Sequence, residues 1–141
     1  MSELVIRPLA ASDREAWTPL WHGYLTFYKA TLPPGTDDIT FGRLTGGTEP
    51  MGGFIAEHHG KAVGIVHWVT HRTTWSGKDI CYLQDLFTDP QARGRGVARA
   101  LIEAVYAAAD AAGVPAVYWL TAEDNYAGRM LYDKVAQRSP F

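Results

Sequence analysis

At 141 residues, with 47% hydrophobic and 20% charged side chains, the chain suits one domain, residues 1–141, with a single core, and leaves no case for disorder. A formal net charge of −2 argues against a nucleic-acid surface, which shows as a basic excess. The one cysteine, Cys81, has no internal disulfide partner and reads as a small core residue in a reducing compartment, so a cytoplasmic protein with no leader and no membrane span is expected.

Leu4 to Leu9 is β-prone and predicts a first strand that stops near Pro8. Ser12-Asp13-Arg14-Glu15 has the S-x-x-E form of a capping box and predicts a helix start. Trp17, Trp21, Tyr24, Phe27 and Tyr28 then fall largely on one helical face, with Trp17 and Phe27 expected in the core, and Pro19 is expected to divide or kink the region into two helices. Thr31 to Pro50 reads as loop with a short helix around Ile39 to Leu44, and Asp37 and Asp38 read as turn residues.

Phe54–Glu57 and Ala62–Val69 are predicted strands, joined by a hairpin turn at His58-His59-Gly60-Lys61. Ile80 to Phe87 is the next strand, Val97 to Ala112 a helix stopped by Gly113, Ala116 to Leu120 a fifth strand and Tyr126 to Val135 a last helix. The order β-αα-βββ-α-β-α predicts an α/β fold, a mixed sheet with helices on both faces. His67 and His71 share strand parity but lack a third ligand, so no metal is expected.

Between the fourth strand and the helix after it lies Gln91-Ala92-Arg93-Gly94-Arg95-Gly96-Val97-Ala98. A glycine-rich turn that opens a helix presents unpaired N–H groups at the positive end of the helix dipole, where a phosphate binds. The spacing Q-x-x-G-x-G is neither the G-x-G-x-x-G of dinucleotide-binding domains nor a P-loop, which follows its last glycine with Lys-Ser/Thr. Arg93 and Arg95 flank the glycines, so side-chain cations and backbone donors converge on one diphosphate.

With Pro90 before it and Val97, Leu101, Ile102, Val105 and Ala109 after it, this run resembles the acetyl-CoA-binding motif of the GCN5-related N-acetyltransferase (GNAT) superfamily. Leu83-Gln84-Asp85-Leu86-Phe87-Thr88 is similar to that family's central strand, and Asn125-Tyr126-Ala127 through Leu131-Tyr132-Asp133-Lys134 to its Asn-x-x-Ala-x-x-x-Leu-Tyr helix. The likeness covers Phe54 to Lys134 and is nearest to the polyamine acetyltransferase and Hpa2-like branch. It implies that the fourth and fifth strands splay apart around the pantetheine arm of acetyl-CoA. Leu86, Phe87 and Thr88 then offer backbone partners, Gln91 and Arg93 to Arg99 (Gly94, Arg95, Gly96, Val97, Ala98) hold the pyrophosphate, and Asn125 and Tyr132 touch the cofactor.

The resemblance makes Tyr132 the acid that protonates the departing thiolate. Asn125 is also an expected N-cap. The base is open among Asp85, Glu123 and a relayed water, because Gln84 stands where polyamine acetyltransferases usually carry a glutamate, and an amide takes no proton. Tyr24, Tyr28, Gln84 and Asp85 are the expected acceptor-site residues, since aromatic faces beside a carboxylate suit a cationic amine. The expected activity is acetyl transfer from acetyl-CoA to a primary amine of a small molecule: a polyamine, a diamine or a lysine-like amino acid. The alternatives are a non-catalytic acyl-CoA sensor, a protein or histone lysine acetyltransferase, and an unrelated nucleotide-binding domain. Only Ala136 to Phe141 follow the last helix, so a homodimer that covers the sheet edge is expected, with neither nucleic acid nor membrane as partner.

Overall fold

The computed structural model describes residues 3–120. The predicted last helix, and with it Glu123, Asn125 and Tyr132, lies outside the described residues. In chain order the elements are β1 (Leu4–Pro8), α1 (Arg14–Phe27), α2 (Thr36–Thr45), β2 (Met51–His58), β3 (Lys61–His71), β4 (Ile80–Thr88), α3 (Val97–Ala111) and β5 (Val117–Tyr118), with 3₁₀ turns at Ala11–Asp13 and Pro90–Ala92. The strands form one sheet in the order β1-β2-β3-β4-β5. β1 to β4 pair antiparallel, and α3 then crosses over so that β5 lies parallel to β4, which makes the expected mixed α/β sheet.

Alternation along the strands separates two cores. Ala56, Val66 and Leu83 point to one face and meet the stripe Val97, Leu101, Ile102 and Val105 of α3. Ile55 and Ile65, their chain neighbours, point to the other face and meet Trp17, Leu20, Trp21, Phe41 and Leu44 of α1 and α2. Leu101, Ile102 and Trp17 are fully buried, and each side chain of this size contributes roughly 1.5–3 kcal/mol by leaving water. α3 ends as its sequence requires: Gly113 takes φ 74°, its N–H donates to Asp110 O at 3.1 Å, and Val114 N–H donates to Ala109 O at 2.9 Å. Between β2 and β3, His59 and Gly60 take φ 53° and 78°, the left-handed pair that a two-residue hairpin needs.

The structure corrects several expectations. Pro19 neither divides nor ends α1, which runs unbroken past it. Its ring is exposed, and the lost N–H bond is outweighed by Trp17, Leu20 and Trp21, which anchor both halves of one helix in the core. Ser12 makes no capping bond; the neighbouring Asp13 takes over, accepting from Ala10 N–H at 2.7 Å and from both terminal nitrogens of Arg7 at 2.8 and 2.7 Å. Phe27, the last residue of α1, is 49% exposed instead of buried. Asp37 and Asp38 are not turn residues. They begin α2, a helix of 10 residues, where carboxylates complement the dipole.

Candidate active site

The turn from β4 to α3 has the properties of an anion site. Gly94 and Gly96 take φ 83° and 77°, and a side chain at either would meet nothing within 4 Å, so the space above them is open. α3 begins at Val97 without a side-chain cap, and the N–H groups of Val97, Ala98 and Arg99 find no acceptor among the described residues. Val97 turns its side chain into the core and offers only its backbone. Arg93 and Arg95 are exposed at the rim, Arg95 within 3.4 Å of His58 Nδ1. Arg99 is turned along the helix onto Glu103 at 3.1 Å. Gln91 is exposed in the 3₁₀ turn, its N–H already held by Asp89 at 3.0 Å. Open glycines, free helix-end donors and two cations fit a diphosphate.

β4 and β5 pair only at Cys81–Val117 and Tyr82–Tyr118. Beyond that point Leu83 to Thr88, the stretch of β4 that leads to the cradle, have no β5 partner among the described residues. Leu86 and Phe87 turn to opposite cores there. Thr88 Oγ1 is buried with no partner among the described residues, as a donor set awaiting a polar ligand would be.

β4 is not a regular strand at this place. Leu83 pairs with Trp68 and Asp85 with His67, so Gln84 is an extra residue and the register shifts. A bulge re-aims the side chains beyond it. Gln84 is exposed, whereas Asp85 is brought to the α1 face, its side chain 14% exposed, with Oδ2 2.9 Å from His67 Nδ1. The Tyr24 phenol interacts with the same carboxylate. Burial first, and then this negative neighbour, push Tyr24 far above its ordinary 10.0, so it remains a donor at every working pH. Tyr82 is raised for the same reasons, burial and then Asp85.

Aromatic rings wall this carboxylate. Trp17, Trp21, Tyr24 and Tyr28 form a ladder along α1 with centroids 5.7, 5.4 and 5.0 Å apart. Across from them Tyr82 stacks on Tyr118 at 4.9 Å. Of the residues expected in the acceptor site, the structure therefore groups Tyr24, Tyr28 and Asp85 and turns Gln84 outward. His67, Trp17, Tyr82 and Tyr118 join the group without having been foreseen there. A signal for His67 existed, since it interrupts the apolar run Ile65-Val66-His67-Trp68-Val69 and a buried imidazole needs partners.

The acetyltransferase (GNAT) family model matches residues 15–136. The chain is similar to D-amino-acid N-acetyltransferase HPA3 of Saccharomyces cerevisiae, 38% identical over 96% of this chain and 86% of that one. It is similar too to the uncharacterized N-acetyltransferase YhfO of Bacillus subtilis, 30% identical over 92% of this chain and 86% of that one. Among solved structures, the fold matches AAC(6')-Iy in complex with a CoA bisubstrate analog, with a TM-score of 0.83, 20% identity and coverage of 99% and 97% of the two chains. Family match, sequence kinship and fold agree: the chain belongs to the acetyltransferase (GNAT) family and is an acetyl-CoA-dependent N-acetyltransferase.

Proposed function

We propose that the chain, acting as one domain, acetylates the primary amine of a small molecule, with Asp85 as the base. The observation that carries this is the Asp85 carboxylate itself: turned inward by the bulge at Gln84, held by His67 and Tyr24, and walled by tyrosines. Acetyl-CoA supplies the acetyl group as an activated thioester, and the Gly94–Arg99 cradle with Arg93 and Arg95 holds its pyrophosphate.

An amine of lysine type titrates near ~10.4 and reaches the enzyme as the ammonium. Asp85 takes its proton, directly or through one water, while the tyrosine faces hold the cation until then. As the N–C bond forms and the C–S bond breaks, Tyr132 gives its proton to the leaving sulfur, and the second proton of the acylated nitrogen passes to the resulting phenolate, which leaves a neutral amide and a free thiol. Asp85 is preferred to Glu123 because His67 Nδ1 lies 2.9 Å from its Oδ2 and the buried Tyr24 phenol lies beside it. The acceptor class is an amino acid, a diamine or a polyamine, and the name of the HPA3 relative puts D-amino acids first in the test.

Thiol release from acetyl-CoA, measured with D- and L-amino acids, diamines and polyamines in turn, tests the reading. Acceptor-stimulated release with one class, and a mass gain of one acetyl group on its amine, is expected. Release that no small amine accelerates overturns it.

A further inference from the structure

His67 is 2% exposed, a buried ionisable group on this face that the chemistry above leaves without a task beyond contact. Its seat is built from three directions. Gly53 on β2 stands opposite it, and a Cβ there would lie 3.3 Å from His67 Cδ2, so the missing side chain makes room for the ring. Trp21 covers the imidazole at 5.2 Å. Trp17, itself fully buried, aims its indole N–H at His67 Nε2 over 3.0 Å.

That last bond decides the proton. An indole nitrogen only donates, so Nε2 must be the acceptor, and the one proton of the ring sits on Nδ1. Nδ1 in turn faces Asp85 Oδ2 at 2.9 Å. The contact is thus an N–H donated to a carboxylate rather than an ion pair, because a second ring proton would have to displace the Trp17 N–H inside the core. Among the described residues the groups that face the pair are Trp17, Trp21 and Tyr24 from α1, Gly53 from β2 and Tyr82 from β4, and none of these brings a positive charge. A neutral donor keeps the carboxylate aimed without neutralising it, which is what a proton acceptor needs.

We propose that His67 is a positioning residue for acetyl transfer: pinned by Trp17 as the neutral Nδ1–H tautomer, it holds the Asp85 carboxylate in the orientation that receives the amine proton. This rests on the assignment of Asp85 as the base, and the two separate experimentally. In His67→Asn the amide nitrogen occupies the place of Nδ1 and can still donate, whereas His67→Leu removes the donor at similar bulk. His67→Leu is expected to lose ~10- to 100-fold in kcat and to move the acidic limb of the rate profile to higher pH, because its carboxylate has lost a stabilising donor. The KM for acetyl-CoA and the rise in Tm on adding it stay as in the wild type, and His67→Asn recovers most of kcat.

Equal kcat and equal pH profiles in the two variants overturn the proposal. Asp85→Asn is measured beside them. Should it keep the acidic limb, the base assignment falls; should it lose the limb while His67→Leu keeps wild-type kcat and limb, the positioning role alone falls. If His67→Leu does not fold, nitrogen-15 NMR of the wild-type ring decides. An N–H signal at Nδ1 and a lone-pair signal at Nε2 support the proposal, and the reverse tautomer or two N–H signals overturn it.

Discussion

Asp85 stands directly opposite His67 on the neighbouring strand, one residue out of step with the alternation that Tyr82 and Leu83 establish. In an unbulged strand Gln84 would face α1 and Asp85 would be driven into the apolar α3 core. The bulge leaves Gln84 unpaired and exposed and turns Asp85, the side chain that can take a proton, to the α1 face beside His67.

Asp85→Asn therefore removes the proposed proton acceptor while preserving shape. Turnover is expected to fall by about 10²- to 10⁴-fold, and the acidic limb of kcat/KM for the acceptor should disappear. Binding of acetyl-CoA persists, read as an unchanged rise in Tm with added cofactor. Loss of that rise together with activity would assign Asp85 a structural task instead.

Tyr24→Phe removes the buried phenol beside the same carboxylate. The expected loss is about tenfold in kcat/KM, ~1.4 kcal/mol. Since burial and Asp85 keep the Tyr24 phenol protonated, it does not supply the basic limb, which should be the same in this variant when profiles are recorded up to about pH 10. A basic limb that vanishes with the hydroxyl contradicts this.

At the cradle, Gly96→Ala places a Cβ in open space but at φ 77°. The left-handed conformation costs a non-glycine residue roughly 1–2 kcal/mol, so the variant should be less stable by that order. Arg93→Ala with Arg95→Ala leaves the backbone alone. That double variant should raise the KM for acetyl-CoA severalfold without changing kcat, since diphosphate contacts far from the reacting atoms act equally on ground and transition states. A fall in kcat at saturating acetyl-CoA is the opposing result.

Away from the site, Arg7 grips Asp13 with two bonds and Glu57 with a third, at 2.8 Å. The Arg7 hydrogen bonds hold the Asp13 carboxyl below its ordinary 3.8. A depressed carboxylate stabilises the fold above the unfolded value, and that stabilisation is lost as pH falls through the folded one. Asp13→Asn should cost about 1–2 kcal/mol at pH 7, discounted because Arg7 is partly exposed. Urea unfolding at descending pH should show wild type and variant converging below pH 3.8; a constant gap would exclude the linkage.

Much of this molecule is legible in one dimension. The periodicity of Val97 to Ala109, the glycines at 60, 94, 96 and 113 and the β-prone runs predict α3, its ends, the hairpin and the central strands, because these depend on residues a few positions apart. The cradle motif and its family likeness belong to the same local order. Where the sequence misleads, distant contacts override local preference: Pro19 stays within a helix because buried tryptophans on both sides hold it.

The sequence by itself determined that this chain is an α/β acetyltransferase with a glycine-rich turn after its fourth strand. Only the tertiary structure decided which carboxylate turns to the aromatic face of α1 and what lies against it there. Residues 17, 24, 67 and 85 lie on three separate elements, and their meeting depends on a single inserted residue in a strand register, which no pattern within any one segment encodes.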